Sequence, residues 1–174
     1  TPSSGGCKNC PWITMATIRK LLVLVKRDFG PKPIWLTEYG YQTNPPDTFL
    51  GVPLKRQATV LSLAAMRAWR LPRITMFFQF LYRDEPELGR FQTGLVFAGG
   101  KWKPSLQAFK LPFAQMGRRG DKAIVWGQIR GARPGRKTYR LEVLQQNQWK
   151  PIRPQRLTNE DGVFIWKKPA AMTT

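Results

Sequence analysis

The chain has 174 residues, 42% hydrophobic and 12% aromatic, and carries a formal charge of +19 from 29 Lys+Arg against 10 Asp+Glu. That composition excludes a disordered polyelectrolyte and predicts a packed core, in one ordinary domain or in a small domain beside part of a larger one. No stretch approaches the roughly 18 to 20 apolar residues that span a bilayer, so no membrane helix is expected. The basic excess suggests anionic partners such as nucleic acid or acidic polysaccharide. It is spread evenly, however, with 16 basic and 6 acidic residues in 1–114 and 13 and 4 in 115–174. With no basic helix and no nucleic-acid motif, nucleic acid is not the expected partner.

The N-terminus, "TPSSGGCKNC", is polar and Gly-rich and lacks the basic start and apolar middle of a secretion signal. Cys7 and Cys10 form a lone C-x-x-C; with no His and no second Cys pair they do not complete a zinc site. A small loop disulfide, which implies an oxidising compartment, and two free thiols both remain open. No metal or cofactor is expected.

From Ile13 to Phe29 the residues Ile13, Ile18, Leu21, Leu22, Val25 and Phe29 recur at helical spacing, with Thr14 as a candidate N-cap and Gly30-Pro31 as the stop. "PIWLTEYG" then reads as a short apolar strand. An amphipathic helix begins near Pro53, with Leu54, Ala58, Leu61, Ala65 and Ala68 on one face. "RITMFFQFLYRDEP" is a second apolar strand, "GLVFAGGKWKP" a hairpin-like turn, and "PSLQAFKLPF" a short last helix. Helix alternating with strand is the pattern of a parallel α/β fold. Two strands that are apolar throughout call for cover on both faces, which a two-stranded sheet does not by itself supply.

Beyond residues 115–121 the pattern changes. "AIVWGQIRG", "KTYRLEVLQQ", "QWKPIRPQRLT" and "GVFIWKKP" alternate apolar and polar residues between turn-forming "ARPGR", "QNQW" and "NEDG". This predicts a small antiparallel all-β domain, sandwich-like, over 121–169.

One residue asks for a chemical reason. Glu38 ends an apolar strand among aromatics, where desolvation penalises its charge. It is either a strand-end structural carboxylate or a site residue. "IWLTEYGY", "FFQFLYRDEP" and "GRFQTGLVFAGGKWKPSLQAFKLPF", in this order and spacing, resemble the last two β/α units of a clan-A (β/α)8 retaining glycoside hydrolase of the cellulase-like and xylosidase-like kind, over roughly residues 12–114. The resemblance implies a partial TIM barrel over 1–114 whose N-terminal portion is missing, a carbohydrate substrate, and secretion to the extracellular space. It also implies that Glu38 is the nucleophile, with Tyr39, Tyr41 and Gln79 as substrate-binding neighbours. A retaining glycosidase needs two carboxyl groups about 5 to 5.5 Å apart, and in this resemblance the acid/base carboxyl falls outside the chain. Asp84 and Glu85 read as loop charges paired with Arg83 or Arg90. Trp102, Trp126, Trp149 and Trp166 read as core, or as a carbohydrate-stacking face. The rival to catalysis is a basic module that binds anionic polysaccharide or nucleic acid.

Overall fold

The computed structural model describes residues 12–120, 122–131, 133–152 and 154–168, so Cys7 and Cys10 lie outside the described residues. The chain divides into two compact units, Thr1–Phe109 and Lys110–Thr174.

The first unit opens with a tight turn. The Thr14 hydroxyl accepts the Ala16 N–H at 3.2 Å and the Thr17 N–H bonds back to the Thr14 carbonyl at 2.9 Å. Thr14 therefore caps a turn, and helix α1 begins later, at Arg19–Phe29. Short polar side chains that bond the nearby backbone compete with the helix in this way. Gly30, at φ 80°, ends α1 and donates its N–H to the Lys26 carbonyl.

Strand β1 (Ile34–Tyr39) pairs in parallel with a later strand, β4 (Ile74–Gln79). Between them lie β2 (Thr43–Asn44), β3 (Val52–Pro53), itself parallel to β2, and the helix α2 (Leu54–Trp69). Pro53, as N-cap, fits the start of α2, where its missing N–H costs nothing. The buried face of α2 runs through Gln57, Val60, Leu61, Ala64, Ala65 and Ala68; Leu54 and Ala58 sit at its half-exposed margin. Ala64 and Ala68 join Met15, Ile18, Leu71 and Ile74 in one apolar cluster, and Leu61 joins Leu95, Val96 and Leu106 in another. Tyr39 and Phe77, one from each parallel strand, touch both clusters and knit them together. Helix α3 (Pro104–Lys110) closes this part of the chain.

The second unit is built from β5 (Phe113–Arg119), β6 (Lys122–Gln128), β7 (Thr138–Tyr139), β8 (Glu142–Gln145), β9 (Gln148–Pro151), β10 (Arg156–Leu157) and β11 (Val163–Lys168). They form antiparallel sheets in the orders β11-β6-β5, β10-β7 and β8-β9. This is consistent with the all-β expectation for the C-terminal part. Its core is Trp126, wholly buried, with Ala114, Val163 and Phe164. Tyr139 stacks on the Phe164 ring at 4.3 Å, and a side chain at Gly127 would strike that ring.

The expected partial TIM barrel is not present. Among the described residues, the sheet that carries Glu38 has two strands, β1 and β4, and no third parallel strand extends it. Trp35, Met76 and Phe78 stay 60%, 43% and 47% exposed, so the sheet is not enclosed. The physical reason is connection length. The long crossover through α2 that makes β1 and β4 parallel is not repeated among the described residues: β2 and β3 form a separate two-residue parallel pair, and the strands after Lys110 pair antiparallel, so none becomes a parallel neighbour of β1 or β4. Two strands apolar on both faces predict a larger parallel sheet; the structure instead leaves them partly exposed.

Candidate active site

Glu38 lies near the C-terminal end of β1. The pairing Leu36↔Phe77 is followed by Tyr39↔Gln79, so β1 spends three residues where β4 spends two. This is a β-bulge at Thr37–Glu38, and such bulges turn a side chain out of the regular alternation. Tyr39 and Leu36 are thereby both packed toward the core, while Thr37 and Glu38 are exposed. Glu38 lines a cavity of about 370 Å³ together with Tyr39, Gly40 and Tyr41, faced by Met15 and Ile18 from the turn ahead of α1. Arg67 of α2 fixes that opposite wall by donating to the carbonyls of Met15 and Ala16 at 3.3 and 3.0 Å. Burial, followed by the neighbouring Arg70, holds the Arg67 guanidinium below its usual range.

The two tyrosines differ in their roles. Tyr39 gives its hydroxyl hydrogen to the Val60 carbonyl at 3.2 Å and packs its ring 5.0 Å from Phe77. Burial first, and Tyr41 second, push its phenol far above the usual tyrosine range, so it stays protonated. The Tyr39 hydroxyl thus serves the fold. Tyr41 lies edge-on to Tyr39 at 5.9 Å and is half-buried on the cavity wall. Gln79 directs its amide to three backbone carbonyls, Phe80 at 3.0 Å, Leu81 at 3.4 Å and Thr93 at 2.7 Å. It braces the end of β4. Between the tyrosines, Gly40 approaches the Phe80 carbonyl and Thr93 so closely that an added Cβ would lie 2.8 Å from Thr93 Cβ. No residue with a side chain fits there without a shift.

Behind this rim is a network that the sequence reading missed. Lys103 and Asp84 form an ion pair at 2.7 Å with both side chains at 0% exposure. Lys103 Nζ also donates to Thr43 Oγ1 at 2.8 Å and to the Gln92 carbonyl at 3.2 Å, and Asp84 Oδ1 accepts the Gly94 N–H at 2.7 Å. Gln57 adds its amide to the carbonyls of Tyr41, Thr93 and Gly94 at 2.9, 3.1 and 3.3 Å. The segments that follow β1 and β4 are thereby tied to each other and to α2. Asp84 is not a surface partner of Arg83 or Arg90; Glu85 instead accepts the Phe91 N–H at 3.0 Å. Burial lowers the Lys103 pKa, and the hydrogen bond and charge of Asp84 oppose that shift. Lys103 carries no periodicity signal, because its partners lie far away in the chain. A Lys just before a helix and among apolar residues was the only cue.

No cluster of three or more His, Cys, Asp or Glu among the described residues is placed to hold a metal ion, and no helix there is long and apolar enough to cross a membrane. Compared with the sequence signatures of known protein families the chain matches none, and no curated protein matches it.

Proposed function

We propose that this chain supplies the nucleophilic carboxylate of a retaining glycoside hydrolase. The observation that carries the reading is Glu38: a carboxylate turned out of the strand by a bulge, exposed on the wall of a cavity whose rim includes Tyr41, and backed by a rigid polar network. Catalytic groups are favoured where a rigid scaffold presents them at the start of a loop. In the reaction, a Glu38 oxygen bonds to the anomeric carbon as the glycosidic C–O bond breaks, and the departing oxygen takes a proton from a second carboxyl group. Water then attacks the same carbon, giving its proton to that second, now ionised, carboxyl group, and the C1–O bond to Glu38 breaks, so configuration is retained. Asp84 is committed to Lys103 and Glu85 to Phe91. On this reading neither of these two is the proton donor, and the expected outcome is that the chain alone does not turn over unactivated glycosides.

A 2-deoxy-2-fluoroglycosyl fluoride tests the nucleophile directly, because fluoride departs without protonation and the missing acid is bypassed. The carboxylate O–C1 bond forms, the C1–F bond breaks, and mass spectrometry reads the adduct. The expected result is one glycosyl adduct on the peptide holding Glu38, absent from Glu38→Gln. An unlabelled Glu38 across gluco-, xylo- and manno-configured reagents, or an adduct elsewhere, overturns the reading.

A further inference from the structure

The tryptophans of the second unit divide sharply. Trp126 is fully buried and Trp166 half-buried, but Trp149 is 66% exposed. Trp149 sits on β9, directly opposite Leu144 of β8, itself 49% exposed, and the next pair on that face is Glu142 with Pro151. Side chains alternate across a strand, so these two pairs share one face of the hairpin, and Lys150 points to the other. Burying a large ring is favourable by its area, so an indole held out on a two-stranded hairpin has forgone that gain.

The apolar strip does not stop at Pro151. Arg140 and Pro151, with Gln155, line a cavity of about 470 Å³. Arg140 is ion-paired to Glu142 at 2.8 Å, so the strip's charges cancel within a chain of net charge +19. A surface meant for a polyanion would keep its basic groups uncompensated. Here the features are a flat aromatic face, an aliphatic neighbour, and a paired cation and anion that together offer both donors and acceptors. Sugars present the matching set: a face of C–H groups and a rim of hydroxyls that donate and accept. Binding sites commonly combine aromatic walls with a few fixed polar groups in this way.

We propose that the Trp149–Leu144–Pro151 face, continuing into the Arg140 cavity, binds a neutral oligosaccharide chain. This site belongs to the second unit by itself and does not depend on Glu38.

The test is titration of the full chain with neutral β-1,4-linked hexaoses of glucose, xylose and mannose, read by the tryptophan indole N–H resonances. One of the three should shift the Trp149 indole saturably. Affinity should fall about tenfold or more in Trp149→Ala, remain within a few-fold in Trp149→Phe, and change little between about 50 and 500 mM salt. Arg140→Ala, at a half-exposed position that leaves the hairpin pairs intact, should also weaken binding and provides a second readout if Trp149→Ala does not fold. No saturable binding, binding untouched by both substitutions, or binding only to polyanions that collapses with salt overturns the proposal. Glu38→Gln should bind the oligosaccharide as the parent chain does, and Trp149→Ala should still be labelled at Glu38, so the two readings fail separately.

Discussion

The rim behind Glu38 and the core around Trp126 are held by opposite means. In the first unit the segments after β1 and β4 are anchored by a wholly buried ion pair, Lys103–Asp84, and by the Gln57 amide. In the second unit β5, β6 and β11 close over an aromatic core of Trp126 and Phe164, with Tyr139 stacked on it. The difference teaches what each arrangement is suited to. Apolar burial is non-directional and supplies stability wherever shapes fit. A buried ion pair returns little net stability because desolvation cancels much of its attraction, but it tolerates few geometries. Direction is what a carboxylate at a strand end needs, and bulk is what a small β unit needs.

The largest expected effects break one half of the comparison at a time. Trp126→Ala should cost about 3–5 kcal/mol by cavity formation, and Lys103→Met a similar 3–5 kcal/mol by stranding the Asp84 charge, both read by denaturant unfolding. The decisive contrast is the second substitution. Lys103→Met with Asp84→Leu should recover most of the lost stability while reducing the rate of Glu38 labelling. No second change should rescue Trp126→Ala comparably. If the double variant stays as unstable as Lys103→Met alone, the pair contributes stability rather than position.

Next in size is Gly40→Ala, expected to cost about 1–3 kcal/mol because Phe80 and Thr93 must give way. It should slow labelling of Glu38 without altering the second unit's amide exchange.

A smaller effect separates the units by pH. The folded Tyr39 pKa lies above its unfolded value of about 10. Its contribution is therefore complete below about pH 10 and is lost as pH rises past that point, because the unfolded phenol ionises while the folded one does not. Lys103 acts in the reverse sense. Its folded pKa is lowered, so its burial opposes folding at lower pH and that opposition fades as pH approaches about 10.4. Tyr39→Phe should cost about 0.5–1.5 kcal/mol at neutral pH for the lost Val60 hydrogen bond, and should flatten the alkaline decline of the first unit. A decline that persists unchanged would place its origin elsewhere. Smallest of all, Glu160→Gln, which removes the exposed Arg136 pair, should change stability by no more than about 0.5 kcal/mol.

The same comparison shows what the sequence could disclose. Helical periodicity located α2, apolar β-forming runs located β1 and β4, and alternation with turn chemistry located the β strands after residue 121, because each signal is written in adjacent residues. Glu38 stood out for the same reason, as a lone carboxylate closing an apolar run. The barrel did not follow, since two apolar strands in one chain say nothing of how many neighbours each finds. The bulge at Thr37–Glu38 was invisible because it exists only as a mismatch between β1 and β4. Lys103, Asp84 and Thr43 meet from three distant segments, and the run around Gln79 does not disclose the three backbone carbonyls that its amide meets.

The parallel pairing of β1 with β4 also bears on how the molecule is assembled in time. Ile34 finds Ile74 only after the whole of α2 has been brought back across the strand, and loop closure of that span must be met before any ladder bond forms. The β8–β9 hairpin closes over the two residues Gln146 and Asn147 and is local enough to form within microseconds. In refolding of the full chain the Trp149 face is therefore ready early, whereas the wall bearing Glu38 comes into being only with the long-range pairing of β1 with β4.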